Sequence, residues 1–394
     1  MTTDDIHILD PERGANQSGL RDQNARVVLS FIRRHGAMPS AEIARRSGLS
    51  AQTVSNITRA LEADGLLRRG AAIKGKVGKP SVPVALNPNG VHSLGLNIGR
   101  RSAELVLVDF GGALLDTIAT SYPYPTIETV FAFLKDGIAR IFAKHPSALR
   151  SVSAIGVASP SKLWEWLEVV DAPPEEMQRW QNLDLRAAIT ELTGFETYLE
   201  NDATSACVAE HLIGRGNEFS DFAYIFIGAF LGGGLVLNGK VFSGRTGHAA
   251  AFGPMPIPAP GGRGGVTELL NVASLHVLEK SLSDAGIDPL QLRSHIDDWG
   301  RYEDHVAPWI ETTSQNLAIA AAIIASVVEV EVILIDGAMP ASVCARLTAA
   351  TQKASAALKL TVVVNPMIEQ ARVGRRARSL GAALLPIHAR YFLA

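Results

Sequence analysis

Between Asn24 and His35 the apolar positions Val27, Val28, Phe31 and Ile32 fall on one face of a 3.6-residue repeat, and Gly36 ends it, which predicts a first helix. A second, shorter helix follows from Ser40, a candidate N-cap, with Ile43 and Ala44 turned inward. The Ser47-Gly48-Leu49 turn then leads to a third helix capped by Ser50. In that helix Val54, Ile57 and Leu61 share one face, so the opposite face presents Gln52, Thr53, Ser55, Asn56 and Arg59. After Gly65, the run Leu66-Leu67-Arg68-Arg69, a glycine-rich turn Lys74-Gly75-Lys76-Val77-Gly78-Lys79-Pro80, and Val82-Pro83-Val84-Ala85-Leu86 predict a two-stranded wing.

From His92 the pattern changes to short apolar runs alternating with helical segments: Ser93 to Ile98, Leu105 to Asp109, a helix over Ile127 to Lys144, then Ala154 to Ala158. A similar round follows with Phe222 to Ile227, Leu235 to Leu237, long helices around Leu269 and Asn316, and Val332 to Ile335. Such alternation predicts an α/β body of two lobes with a cleft between them, where ligands sit at the carboxyl ends of strands. The amphipathic segment Ser379 to Ala394 is expected to complete the first lobe as a helix. Residues 1–20 are acidic and lack an apolar run, so they are read as a disordered tail rather than a secretory signal. The expected domains are therefore 21–88 and 89–394, the latter dividing into 89–199 plus 378–394 and 200–377.

The chain has 394 residues, 47% of them hydrophobic and 19% charged, ample for more than one core. The apolar stretch Leu317 to Val328 is too short to span a bilayer and is followed by Glu329 and Glu331, so a buried helix is expected and no membrane partner. Two cysteines, Cys207 and Cys344, cannot build a disulfide framework or a thiolate metal site, which suits a cytoplasmic protein. A net charge of −2 conceals a segregation: Arg21 to Ser81 carries twelve Lys or Arg against four acids. A local charge of +8 on a helix-turn-helix and wing points to double-stranded DNA as partner, and a basic protein-interaction module is the weaker alternative. The third helix then offers Ser50, Gln52, Thr53, Ser55, Asn56 and Arg59 to a major groove, and Gly78-Lys79-Pro80 forms a wing tip for the minor groove or the phosphates.

Three further segments occur in a telling order: Leu199-Glu200-Asn201-Asp202-Ala203, Gly232-Gly233-Gly234-Leu235-Val236-Leu237-Asn238-Gly239-Lys240, and Gly247-His248. With the wing ending in Gly78-Lys79-Pro80-Ser81, they make nearly the whole chain from Leu20 resemble the ROK family of repressors and sugar kinases. The resemblance implies a winged helix-turn-helix followed by a two-lobed actin/hexokinase-like α/β domain. It also implies a carbohydrate ligand in the cleft, with Asn201, His248 and Glu268 at positions that hold sugar hydroxyls and Asp202 at the position of the kinases' general base. For Glu268 alone, opening the helix near Leu269 is the simpler role.

The departures from that family's pattern carry as much information. The first phosphate loop reads Asn97-Ile98-Gly99-Arg100-Arg101, with arginines in place of an acid and bare glycine backbone. The second has Phe230 where glycine is preferred, and Asp336 precedes Gly337-Ala338 at the adenosine-side turn. The family's zinc-binding cysteines are absent from Ala259 to Glu268, so neither metal nor cofactor is expected. In the sugar site Arg245 stands where the family has glutamate, which suggests an anionic sugar derivative. Trp164, Trp166 and Trp180 are candidates either for stacking on a sugar ring or for the core. These features predict a sugar-sensing DNA-binding regulator, a repressor working as a homodimer or homotetramer, in which Asp202 is a vestige and no residue is catalytic. The alternatives are a sugar kinase carrying a DNA-binding head, and a constitutive DNA-binding protein whose body serves only assembly.

Overall fold

The computed structural model describes residues 17–72, 81–160, 163–165, 172–259, 264–295, 297–360 and 364–393. Helix α1 (Gln17–His35) begins four residues inside the expected disordered tail. A helix already nucleated by the Val28, Leu29 and Ile32 face extends at the cost of ordering one residue per added hydrogen bond. Gly36, at φ 77°, ends it. Strand β1 (Met38–Pro39) leads to α2 (Ser40–Ser47), whose N-cap is Pro39 rather than Ser40; the Ser40 hydroxyl lies instead 3.4 Å from that of Thr58. Helix α3 (Ala51–Ala63) is capped by Ser50, whose hydroxyl accepts from the Thr53 backbone N–H at 3.1 Å. Val54, Ile57 and Leu61 are buried with Ile43. Strands β2 (Leu67–Arg69) and β3 (Pro83–Leu86) pair antiparallel, and β1 joins the other edge of β3 to complete a winged helix.

The chain forms two compact units, and this first one also gathers Asp109–Gly111 and the C-terminal segment from Ile387. Phe110 stacks on Phe392 with ring centroids 5.6 Å apart, Arg33 covers the Phe392 ring, and Leu393 N–H donates to Ser30 Oγ at 3.0 Å. The last residues of the terminal helix thus differ from their expected place in the first lobe. Their aromatic rings find partners in the winged-helix unit.

The second unit holds two five-stranded sheets. The first comprises β4 (His92–Ile98), β5 (Ser102–Asp109), β6 (Leu114–Ser121), β7 (Val152–Ser159) and β8 (Glu196–Asn201), in the order β6-β5-β4-β7-β8. Helices α4 (Ile127–Lys144), α5 (Pro174–Gln181) and α6 (Leu185–Thr193) interrupt it, and α7 (Asp202–Ile213) follows it. The second sheet comprises β9 (Phe222–Ile227), β10 (Leu231–Leu237), β11 (Lys240–Val241), β12 (Val332–Gly337) and β13 (Met367–Gln370), in the order β11-β10-β9-β12-β13. Each sheet runs third, second, first, fourth, fifth in its own numbering, so the body is one topology used twice. In both, the fourth and fifth strands pair parallel, as in a sheet built with helical crossovers.

Helices α8 (Leu275–Asp284), α9 (Glu303–Val327) and α10 (Ala341–Ala357) build the second core with Trp299 and Trp309, and α11 (Ala377–Tyr391) ends the chain. The apolar stretch Leu317 to Val328 lies mostly within α9, and no helix among the described residues is long and apolar enough to cross a membrane. Cys207 and Cys344 are both buried and unbridged, and burial raises both thiol pKa values, that of Cys344 to about 12. Strand β10 begins at Leu231, four residues before the expected run, because Gly232, Gly233 and Gly234 are strand residues that resemble a loop in sequence. Their missing side chains serve packing: a Cβ at Gly234 would fall 2.3 Å from that of Cys207, and one at Gly232 would fall 2.6 Å from that of Ala203. Helix α7 therefore lies directly on β10, and its N-terminus is delivered to the end of the sheet.

Candidate functional site

That N-terminus forms one wall of a cavity of about 350 Å³, the volume range of small-ligand sites. Asn201, Asp202 and His248 all line it, with Arg100, Phe226, Phe230 and the Gly232-Gly233 backbone. Arg245 and Glu268 do not line it. Arg245 is exposed on the loop ahead of Gly247, and Glu268 is exposed at the end of a short strand, Val266–Glu268, paired with Pro256–Pro258. Nor does Glu268 open the next helix, which starts at Leu270 with Leu269 as its N-cap.

Asn201 is the N-cap of α7: its Oδ1 accepts from the backbone N–H groups of Ala203 and Thr204 at 3.0 and 3.3 Å. The Asp202 carboxylate is committed on both oxygens. Its Oδ1 accepts from Ala203 N–H at 3.0 Å, and its Oδ2 accepts from Arg378 Nη1 at 3.2 Å. Arg378 comes from the first turn of α11, one turn ahead of Gly381. A Cβ on Gly381 would fall 1.7 Å from the Ser205 carbonyl oxygen, so only glycine lets α11 cross α7 this closely. The crossing aligns residue 378 with 202, three positions earlier on each helix.

No reading of the sequence singled out Arg378. The signal was present in Arg375, Arg376 and Arg378, three cations in or beside the first turn of a helix, where the dipole disfavours them. Each is matched by an acid: Asp297, Glu104 and Asp202 respectively.

Arg100, Phe230 and Asp336, expected from the sequence to depart from the family's nucleotide motifs, enter two separate sets of contacts. The guanidinium carbon of Arg100 lies over the ring of Phe230, 4.4 Å from its centroid, and His276 lies against the same ring. Asp336 is buried and holds backbone: its Oδ2 accepts from Tyr224 Oη and Gly374 N–H at 2.9 and 3.0 Å, and its Oδ1 from Gly337 N–H at 2.8 Å. Burial raises its pKa to about 6, against the lowering effect of those hydrogen bonds. Glu210, fully buried, accepts from the N–H groups of Arg372 and Val373 in the same loop, so two acids pin the chain just ahead of α11.

Trp180 is buried in the first core and donates to the Pro125 carbonyl, and Trp164 packs against that core; Trp166 lies outside the described residues. No group of three or more His, Cys, Asp or Glu close enough to hold a metal occurs among the described residues. The segment Ala259 to Glu268 offers neither cysteine nor histidine, so its residues do not fit the zinc that the family resemblance implies there.

On the winged helix, Gln52, Asn56 and Arg59 are exposed together on α3. Gln52 Nε2 and Arg59 Nη2 both donate to Asn56 Oδ1, at 3.2 and 2.8 Å, which arrays an amide and a guanidinium side by side. Ser50 and Thr53 serve the cap, their hydroxyls 2.8 Å apart, and Ser55 is half-buried on the same helix. The wing tip Gly78-Lys79-Pro80 lies outside the described residues.

Fold and site together define a winged-helix protein with a two-lobed actin/hexokinase-like body and a carbohydrate-sized cavity. Residues 93–389 match the ROK family model and residues 18–76 a MarR family model. The chain belongs to the ROK family. It is 25% identical over 239 residues to a xylose repressor of Caldicellulosiruptor bescii, a match spanning 60% of this chain and 59% of that protein's length. It is 24% identical over 283 residues to the DNA-binding transcriptional dual regulator NagC of Escherichia coli, spanning 71% and 69%. Among solved structures, a ROK family transcriptional regulator described as a homolog of the E. coli MLC protein superposes with a TM-score of 0.69 at 23% identity, covering 94% of this chain and 97% of the other. A ROK glucokinase from Streptomyces griseus, in complex with glucose and AMPPNP, gives 0.56 at 22% identity over 75% and 98%.

Proposed function

We propose that this protein is a DNA-binding transcriptional repressor whose cavity senses a carbohydrate and transfers no phosphoryl group. The observation that carries the reading is the Arg378 to Asp202 ion pair. A general base must hold its carboxylate free to take a proton from the attacking hydroxyl. Here the carboxylate at that position is occupied by a guanidinium and by its own helix N-terminus. Arg100 and Phe230 occupy loops where the related kinases present glycine backbone to phosphates, which further weighs against a kinase carrying a DNA-binding head. The names of the related proteins, a xylose repressor and NagC, support both a DNA operator and a sugar-like effector as partners.

In this reading Gln52, Asn56 and Arg59 meet base edges and phosphates, with Ser50, Thr53 and Ser55 at the helix start and Gly78-Lys79-Pro80 at the wing tip. Asn201, Asp202 and His248 meet the sugar; Arg245 and Glu268 reach it only if their loops close over it. The protein works in the cytoplasm as a homodimer or homotetramer on paired half-sites, and ligand binding acts by its differential affinity for the two states of the body. Fluorescence anisotropy on DNA from its own promoter region, at fixed salt, tests this when titrated with sugars, sugar acids and sugar phosphates. One compound is expected to shift DNA affinity. Asp202→Ala and His248→Ala are expected to abolish that shift while DNA binding persists. Steady ATP consumption with any sugar would return the protein to the kinases.

A further inference from the structure

Helix α11 and the loop ahead of it are tied to α7 at three places. The fully buried Glu210 accepts from the backbone N–H groups of Arg372 and Val373, at 3.0 Å each. Gly381 meets the Ser205 carbonyl with no side chain between them, and Arg378 Nη1 donates to Asp202 Oδ2 at 3.2 Å. Of these three residues of α7, only Asp202 lines the cavity, so the Arg378 tie is the one that a bound molecule can reach. Asp202 Oδ1 is fixed by the Ala203 N–H of its own helix, which leaves Oδ2 as the oxygen able to change partner. The remaining seat of α11 is bare backbone as well. A Cβ on Gly95 of β4 would fall 2.3 Å from the Ser379 carbonyl oxygen, and one on Gly156 of β7 would fall 1.7 Å from that of Ala382. Packing of this kind offers no side-chain rotamer to absorb a shift, so a displacement at Arg378 is passed along the helix. Pro386 lies in the same helix and, lacking an N–H, cannot donate to Ala382 four residues back. It is also the last residue of α11 that groups with the α/β body, since the chain from Ile387 belongs to the winged-helix unit.

Resting on the carbohydrate reading above, we propose that Arg378 is the residue that turns occupancy of the cavity into a change in DNA binding. A sugar hydroxyl donating to Asp202 Oδ2 shares the negative charge that holds the guanidinium, and the ion pair weakens. Release of Arg378 frees the first turn of α11. Glu210 and Asp336 keep the loop ahead of it pinned, so the helix pivots about a fixed start. Pro386 is the joint through which that pivot reaches residues 387–393, which belong to the unit that carries α3. Arg378 acts through Asp202 and is a positioning residue: it reports the state of the carboxylate to the helix.

Fluorescence anisotropy of the full chain on DNA from its own promoter region, with no sugar present, tests the ion pair directly. Breaking it from either side, by Arg378→Met or Asp202→Asn, should change DNA affinity in the same direction by at least about fivefold. The double variant should change it no further than one of the singles, because the two groups act as one switch. Arg378→Lys, which keeps the charge, should recover part of the wild-type affinity. Arg375→Met removes a neighbouring cation paired with Asp297 and should stay within about twofold of the wild type. Wild-type affinity in Arg378→Met, or changes that are additive or of opposite sign, would overturn the relay and leave the sugar-sensing reading standing. Glucose, xylose and N-acetylglucosamine, titrated into the same assay, supply a second arm. Any of them that shifts wild-type DNA affinity should still bind Arg378→Met by calorimetry, yet shift its DNA affinity by less than about twofold. A full shift in that variant would equally overturn the relay. If none of the three binds the wild type, that counts against the carbohydrate reading alone, and the sugar-free comparison still decides the role of Arg378.

Discussion

The guanidinium carbon of Arg100 lies over the ring of Phe230, 4.4 Å from its centroid. These residues stand 130 positions apart in sequence. They form one contact. A partly desolvated cation on an aromatic face is worth about 1–2 kcal/mol. A double-mutant cycle with Arg100→Met and Phe230→Leu, read by denaturant unfolding, should give a coupling of that size, and strict additivity would show that the two substitutions merely coexist.

Crossing of α11 over α7 at Gly381 sets the Arg378 to Asp202 pair. Gly381→Ala would place its Cβ 1.7 Å from a backbone carbonyl oxygen, and backbone cannot yield as a side chain does. The expected loss is about 3 kcal/mol or more, at the upper end for overpacking. Gly137→Ala makes a useful comparison, since its new Cβ meets only the tip of Leu105, at 2.9 Å, inside a helix where alanine is favoured by about 1 kcal/mol. That variant should unfold within about 1 kcal/mol of the wild type.

Because Asn56 accepts from both Gln52 and Arg59, it organises the exposed face of α3. Asn56→Ala should weaken binding to promoter DNA by about 1–3 kcal/mol, roughly five- to 150-fold, and leave calorimetric titrations of the cavity unchanged. Arg59→Ala should in addition flatten the salt dependence of binding if Arg59 also contacts a phosphate. Unchanged affinity in both variants would place the DNA contacts elsewhere.

Asp336 gives the protein a pH signature of definite sign. Its folded pKa, about 6, lies above the ordinary aspartate value of 3.8, so the folded state holds the proton more tightly than the unfolded chain. The Asp336 contribution to stability is therefore most favourable at low pH, falls as pH rises from about 4 to 6, and is flat above that. That difference corresponds to roughly 3 kcal/mol. The unfolding free energy of the wild type minus that of Asp336→Asn should fall across that window. A difference independent of pH would mean that Asp336 ionises as freely when folded as when unfolded.

Much of this was legible along the chain because it is written in local periodicity. The α3 face of Val54, Ile57 and Leu61, the Ser50 cap, and the bounds of α4 at Ile127 and Lys144 follow from spacing within a few turns. The oddity of Arg100, Phe230 and Asp336 could be seen one residue at a time. Their meaning could not, since pairing Arg100 with Phe230, or Asp336 with Tyr224 and Gly374, requires strands far apart in sequence to be brought side by side. Arg378 shows the limit most clearly. Nothing local distinguishes it from Arg375 or Arg376, and it reaches Asp202 only because Gly381 and Gly232 remove the side chains that would hold α11, α7 and β10 apart. Periodicity determines which face of an element is buried, whereas the glycines that allow backbones to touch determine which residues meet across the cavity.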